Sequence, residues 1–431
     1  MNDHVRVWLA ALKASATPTI DECVASLRAV LPYLNLLKTT EQDPQWHGEG
    51  NVHIHTGMVL DELYALLQKE ASHIRGERRQ ALILGALLHD IAKPVCTRKR
   101  VMSDVERVVS PRHESIGRSY LAYKLMGLGL SYTVVELVLG LVGEHHIPKR
   151  LVIHNAGMGE YLALSRRADC ELLYFLELAD MSGRYCPDKE KQLEYLAVFK
   201  LFCLEYQLWW PEVSAYQHWQ KVLCHALADF DSHTQDLIYG NAIKDRESGL
   251  ITMPEEALAK SYAYRKGYAQ LVLMCGPSGS GKTSWIKKNL PDYHVVSLDD
   301  IRQALSGDRT NQKIQGQVLQ EAKSRLKYHL ASHHKVIWDA TSLRKDFRKQ
   351  VCDFGYAYQA LVTLVVFQQP ESTFFEGNRH REYAVPEDVL SRQIDSMEWP
   401  TRDEAHRYVV ISEHHTVECM HGFLQPSASP F

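Results

Sequence analysis

Gly276-Pro-Ser-Gly-Ser-Gly-Lys-Thr283 follows directly on the apolar run Leu271-Val-Leu-Met-Cys275 and opens the mixed pattern Ser284-Trp-Ile-Lys-Lys-Asn289. A strand, a glycine-rich turn and a helix in that order make this pattern a phosphate-binding loop. Backbone N–H groups along Gly276, Ser278, Gly279, Ser280 and Gly281 curl around the phosphates of ATP or another nucleoside triphosphate, helped by the positive end of the helix. Lys282 brings a point charge to the β- and γ-phosphates, and the Thr283 hydroxyl is placed to ligate Mg²⁺.

Working outward, short β-rich runs at 271–275, 294–298, 335–338, 361–367 and 407–411 alternate with helical patterns. This alternation predicts an α/β domain with a parallel sheet. The run His294-Val-Val-Ser-Leu298 ends in Asp299-Asp300-Ile301-Arg302. A carboxylate there suits proton abstraction from an acceptor hydroxyl, and an arginine three residues on suits a phosphate clamp. The same Asp299 would serve as N-cap of a helix starting near Asp300. Chemistry alone leaves both roles open.

The loop, the Asp-Asp-x-Arg, Asp339-Ala-Thr-Ser-Leu-Arg344 and Asn378-Arg-His-Arg-Glu-Tyr-Ala-Val-Pro386 together resemble the phage-type polynucleotide 5′-kinases over residues 268–411. The resemblance implies Lys282 and Thr283 on ATP and Mg²⁺, and Asp299 as general base for a 5′-hydroxyl. Arg302 is implied on the neighbouring phosphate and Asp339 beside the acceptor. Both Arg379 and Arg381 match the arginine of the lid over the donor phosphates.

A second constellation lies upstream. The apolar stretch Ala81-Leu-Ile-Leu-Gly-Ala-Leu-Leu88 runs into His89-Asp90. Buried helices seldom carry adjacent polar residues unless these are paired or bind metal. Imidazole and carboxylate suit ions such as Mn²⁺, Co²⁺ or Ni²⁺. With 22 histidines in 431 residues, a single one says little; His4, His73, His154, His329, His333 and His334 read as ordinary surface or core histidines. Five segments in order are more specific. They are Trp46-His-Gly-Glu-Gly-Asn-Val-His-Ile-His-Thr56, Leu88-His-Asp-Ile-Ala-Lys-Pro94, Arg112-His-Glu-Ser-Ile-Gly117, Leu141-Val-Gly-Glu-His-His146 and Leu176-Glu-Leu-Ala-Asp180. They resemble the HD-domain metal-dependent phosphohydrolases, and locally the HD module of bacterial tRNA nucleotidyltransferases. The resemblance implies His55, His89, Asp90 and Asp180 as ligands of one metal. His113 and one of His145/His146, with His145 favoured by its offset, would bind a second metal or the substrate phosphate. Lys93 falls where that family contacts a phosphate.

The 1–240 region carries mostly 3.6-period patterns and is expected to be an all-α HD domain. Residues 241–267 are polar and read as a linker, and 268–431 as the kinase domain. The aromatic-rich segment with Tyr206, Trp209, Trp210, Tyr216 and Trp219 reads as packing helices, and His414, His415, Cys419 and His421 as a polar terminal stretch. Net charge is −3, from 49 basic and 52 acidic residues, which argues against a long nucleic-acid footprint but leaves room for a short basic groove. Nine scattered cysteines read as reduced thiols. No apolar run is long enough to span a membrane, and the first residues lack a secretory apolar region. A cytoplasmic location without a membrane partner is therefore expected.

The order of the two modules resembles the bacterial HD-Pnk end-healing enzymes. That likeness implies 5′-hydroxyl phosphorylation and removal of 2′,3′-cyclic, 2′- or 3′-phosphate on nucleic-acid ends, RNA favoured and DNA allowed. No ligase motif is present, so a separate ligase is implied. The competing readings are a small-molecule kinase fused to a nucleotide phosphohydrolase, and a regulatory ATP-binding protein with a degenerate HD site.

Overall fold

A computed structural model describes residues 3–210 and 215–425; residues 1, 2, 211–214 and 426–431 lie outside it. The chain divides into two compact units, Met1–Ala215 and Tyr216–Phe431. No helix among the described residues is long and apolar enough to cross a membrane.

The first unit is helical, as its periodicity predicts. Its central helix, Gly76–Leu88, is buried from Arg79 onward. It packs against the helices Val52–Gln68, Tyr132–Glu144 and Cys170–Ser182. Gly85 permits one of these close approaches, since a Cβ there would lie 2.7 Å from Leu141 Cδ1. His89 and Asp90 follow the buried end of that helix, where the chain turns into the short helix Lys93–Cys96. The all-helical expectation misses one element. Arg98–Met102 (β1) and Val105–Val109 (β2) form an antiparallel hairpin. It is exposed on both faces over β1, so no alternation marks it in the sequence.

The second unit holds a six-stranded sheet. Its strands are Gln270–Cys275 (β3), His294–Ser297 (β4), Lys335–Asp339 (β5), Leu361–Phe367 (β6), Arg407–Ile411 (β7) and Val417–His421 (β8), in the spatial order β4-β5-β3-β6-β7-β8. All pairs are parallel except β7–β8. Strands β3 and β6 are buried on both faces and read as continuous apolar runs. Val272, Met274, Ile337, Val365, Phe367, Val409 and Ile411 share one core with Trp285, Ile286 and Leu290 of the segment after the glycine loop. The chain leaves β3 toward β5 and β4, then returns to β6 on the other side. That reversal at the strands' carboxyl ends is where such sheets bind ligands.

Three expectations need correction. Of the stretch expected as a polar terminus, His414 and His415 lie in the 3₁₀ turn Glu413–His415, and Cys419 and His421 lie in β8. The expected linker is instead helical, in Ser232–Glu247, Pro254–Lys260 and the 3₁₀ turn Ser261–Lys266. The first of these helices begins upstream of the expected linker, and two of its polar residues find partners within the second unit. Asp236 accepts from Arg407 at 2.7 Å and from the Leu424 N–H at 2.6 Å, and Asn241 pairs with His406 at 3.1 Å. The division between units accordingly falls at Ala215/Tyr216, ahead of the position expected from composition. The aromatic segment is split by it. Trp209 packs on Tyr174 and Phe175 in the first unit, while Tyr216 and Trp219 are buried under Arg246 in the second.

Arg348 carries a stability prediction. It is fully buried, makes a two-pronged pair with Glu404 (2.7 and 3.0 Å) and donates to the Ser342 and Leu343 carbonyls at 3.1 and 2.8 Å. Arg348→Met leaves Glu404 buried without its partner, a loss of about 3–5 kcal/mol. Chemical denaturation followed by circular dichroism should show that loss in the second unit.

Candidate active sites

In the first unit, three histidines share one backbone device. Nδ1 of His89 donates to the Ala86 carbonyl (2.8 Å), Nδ1 of His113 to Ser110 (2.8 Å) and Nδ1 of His145 to Val142 (2.9 Å). A carbonyl only accepts, so each Nδ1 carries the proton and each Nε2 turns its lone pair inward. Those lone pairs meet other acceptors. His89 Nε2 lies 3.1 Å from Asp90 Oδ2, His113 Nε2 lies 3.2 Å from Asp90 Oδ1, and the Nε2 atoms of His113 and His145 are 3.2 Å apart. His55 joins through Nε2, 2.9 Å from Asp180 Oδ1 and 3.8 Å from Asp90 Oδ2.

Both ring nitrogens of His55, Nε2 of His89 and Oδ2 of Asp90 are buried without a well-directed hydrogen bond. His55, His89 and Asp90 offer donor atoms within 4.8 Å of one another, as do His113, His145 and His146. Buried lone pairs facing one another are what a cation accepts, so the residues fit a metal. All six ligands implied by the resemblance, His55, His89, Asp90, His113, His145 and Asp180, are brought together. The neighbouring His146 differs from His145: it is half-exposed and engages Glu114 through Nδ1 at 2.9 Å.

Charge around the cluster is finely balanced. Burial alone would raise the Asp90 carboxyl, but His89, Lys93 and His113 hold it well below the usual range. Burial works against charge on His89 too, yet Asp90 keeps it above its ordinary value. Burial, followed by His146, His113 and His89, keeps His145 well below the usual histidine range. Lys93 Nζ forms an ion pair with Asp90 Oδ2 at 2.7 Å and donates to Gln42 Oε1 at 2.7 Å, and Arg184 grips Asp180 at 2.6 and 2.7 Å.

Sequence reasoning missed Glu49, which sits in a quoted segment but received no role. Its Oε1 lies 2.8 Å from His55 Nδ1 and 2.8 Å from His47 Nδ1, and its Oε2 accepts from the Tyr185 N–H at 2.9 Å. A carboxylate behind a ligating imidazole fixes its orientation and strengthens it as a donor. Glu177 was also missed. Burial raises its carboxyl to about 7, against the opposing Lys149 ammonium 2.8 Å away.

In the second unit, the glycine loop follows β3 and the helix Lys282–Asn289 opens from Gly281. Gly279 sits at φ +81°, and a Cβ there would meet the Phe374 carbonyl at 2.2 Å, so only glycine fits. Lys282 arches back over the loop, donating to the carbonyls of Gly276 (2.9 Å) and Pro277 (2.8 Å) and to Ser280 Oγ (3.2 Å). Burial pushes its ammonium down to about 8, with Asp339 opposing and Arg381 assisting. The Ser278 N–H donates to Gln393 Oε1 at 2.8 Å.

Asp339 ends β5 opposite Ser297, beside the Thr283 hydroxyl. Burial raises its carboxyl, and the charge of Asp299 adds to that shift. Asp299 is not the helix cap. Ser297 caps the helix Leu298–Ser306 by accepting from the Asp300 N–H, and Asp299 stands exposed in its first turn. There it pairs at 2.6 Å with the buried Arg302, whose guanidinium also donates to Gln315 Oε1 at 2.7 Å. Of the two arginines that the resemblance offers for a lid, Arg381 acts electrostatically on Lys282 and Asp339, while exposed Arg379 reaches Glu387 at 3.2 Å.

A family model described as an HD domain matches residues 52–181, and one described as an AAA domain matches residues 271–400. No curated protein matches the chain. Among solved structures, a gluconokinase from Sinorhizobium meliloti 1021 is similar at 19% identity, covering 35% of this chain and 86% of its own, with a TM-score of 0.27. A structure from the PezAT chromosomal toxin–antitoxin system of Streptococcus pneumoniae is 15% identical over 40% of this chain and 83% of its own, with a TM-score of 0.29. The tunicamycin resistance protein of Deinococcus radiodurans is 15% identical over 30% and 79%, with a TM-score of 0.23. The chain thus places a helical segment that matches an HD-domain model ahead of an α/β segment, carrying the glycine loop, that matches an AAA-domain model.

Proposed function

We propose that the chain heals broken nucleic-acid ends, RNA above all, by phosphorylating 5′-hydroxyls and removing 2′,3′-cyclic, 2′- or 3′-phosphates. The observation that carries the polynucleotide reading is the Asp299–Arg302 pair: a carboxylate and a phosphate-binding fork 2.6 Å apart at the carboxyl edge of the sheet. A 5′-terminal nucleotide offers these two groups a hydroxyl and, one linkage away, a phosphate.

In the kinase unit, Lys282 turns from the loop carbonyls to the β- and γ-phosphate oxygens of ATP. Asp299 takes the proton of the 5′-hydroxyl as its oxygen attacks the γ-phosphorus, and ADP departs. Arg381 closes on the donor phosphates and Asp339 orders the acceptor side, with Mg²⁺ supplying charge neutralisation next to Thr283. In the HD unit, His55, His89, Asp90 and Asp180 would hold one divalent transition ion, and His113 and His145 a second ion or the substrate phosphate. Such an ion supplies an activated water and a counter-charge to the phosphate oxygens. Lys93 binds a phosphate oxygen, and Glu49 keeps His55 in its ligating tautomer. A cytoplasmic setting with a separate ligase completes the reading; no disulfide joins the cysteines among the described residues.

Arg302 supplies the test. The wild-type protein should prefer a 3′-phosphorylated nucleoside or an oligonucleotide over a plain nucleoside as acceptor. Arg302→Ala should erase that preference, at about 1.5–3 kcal/mol for a lost charged hydrogen bond. Competition between acceptors reads it out. Equal use of plain nucleosides by the wild type would favour a metabolite kinase instead. A uniform drop on every acceptor in the variant would reduce Arg302 to positioning Asp299.

A further inference from the structure

Three histidines that play no part in either site meet at the opposite edge of the sheet. His294 begins β4, His334 immediately precedes β5, and His329 lies in the last turn of the helix Gln315–Ala331. Strands β3, β4 and β5 are parallel, and the glycine loop follows the carboxyl end of β3. The amino ends of β4 and β5 therefore face away from it.

The local fold explains the convergence. The helix closes with His333 in the left-handed region (φ 57°), the His333 N–H bonded to the Leu330 carbonyl and the His334 N–H to the His329 carbonyl. This is the Schellman arrangement, which brings the side chains flanking the turn together and ordinarily joins two apolar groups there. Here the two positions carry imidazoles, and their Nδ1 atoms lie 3.0 Å apart. The ring of His294 stacks on that of His329, with centroids 4.5 Å apart and 20° between the planes, and lies tilted to that of His334 at 4.8 Å. One nitrogen from each ring falls within 4.8 Å of the other two.

We infer that His294, His329 and His334 form a binding site for a divalent transition cation. Two facing ring nitrogens share either a proton or a cation. Ligand bonds to zinc near 2.0–2.1 Å at a tetrahedral angle separate two nitrogens by about 3.3 Å, close to the spacing seen. Three imidazoles leave one position for water, and nitrogen donors select zinc, nickel, cobalt or copper over magnesium and calcium. All three side chains are exposed or half-exposed, so an ion reaches them from solvent. The bound ion would clip edge strand β4 to the helix end and to the start of β5, stabilising the sheet edge without touching catalysis.

Zinc is the probe. Untagged full-length protein is stripped with chelator and titrated with Zn²⁺ against a chromophoric competitor, alongside His334→Ala and His294→Gln. The HD cluster is unchanged in all three proteins, so it contributes equally. Loss of a ligand should reduce tightly bound zinc by about one equivalent per chain. Zinc should also raise the second unit's thermal midpoint in the wild type and not in either variant. Kinase activity should stay at the wild-type level and certifies that the variants are folded. Identical zinc stoichiometry in wild type and both variants would overturn the site. If His334→Ala fails to fold, the exposed His294→Gln decides alone: an unchanged count rejects the proposal and a lost equivalent upholds it.

Discussion

Asp90→Ala should release no phosphate from a 3′-phosphorylated or cyclic-phosphate oligonucleotide, while phosphorylating 5′-hydroxyl ends at the wild-type rate. Asp90 lies at the centre of the histidine cluster, its two carboxylate oxygens facing His89, His113, His55 and Lys93. Removing it deletes a ligand and leaves Lys93 and the buried imidazoles without their counter-charge. Loss of about 10²–10⁴-fold is the scale for a group required for water activation and proton transfer. The metal requirement should divide the same way. Kinase turnover should run on Mg²⁺, which suits an all-oxygen site of phosphates and Thr283, whereas phosphate release should need Mn²⁺, Co²⁺ or Ni²⁺. A metal panel run on both activities checks this. Full phosphate release by Asp90→Ala, or loss of both activities together, contradicts the assignment.

The reciprocal loss is expected from the second unit. Lys282→Ala should abolish 5′-phosphorylation and spare phosphate release. No other side chain from the loop brings a charge to the β- and γ-phosphates, and a lost charge-stabilising donor costs about 10²–10³-fold in turnover. Asp299→Ala should lose a comparable factor through kcat, with the KM for ATP little changed, as the proposed placement of Asp299 at the acceptor and Lys282 at the donor requires. With Ser297 already capping the helix, a collapse of activity in Asp299→Ala cannot be ascribed to a lost cap. Near-wild-type kinase turnover in that variant would remove Asp299 as the base.

Much of this was legible because the two sites are written in local patterns. Strands β3, β5, β6 and β7 announce themselves as apolar runs, since burial on both faces forces apolar residues along their length, while the half-exposed edge strand β4 shows as a short Val-Val run. The cluster ligands likewise fall in short motifs whose order survives folding. Elements that bury polar residues or expose apolar ones were not legible. The helix Ser232–Glu247 looks solvated because Asp236 and Asn241 are polar, and only the fold supplies Arg407 and His406 as their partners. Strand β8 and the β1–β2 hairpin leave side chains in water, so no periodicity betrays them. Glu49 and Gln315 act by contact across sequence gaps, to His55 and to Arg302, which spacing does not encode.

The most direct measurement uses one RNA substrate carrying a 5′-hydroxyl and a 2′,3′-cyclic phosphate. It is incubated with the wild-type chain, ATP, Mg²⁺ and Mn²⁺, beside free nucleosides and sugars, and then offered to a ligase. The account predicts a 5′-phosphate and a 3′-hydroxyl on the same strand and a sealed product. Phosphorylation of the small molecules in place of the RNA end, with the cyclic phosphate left intact, would contradict it.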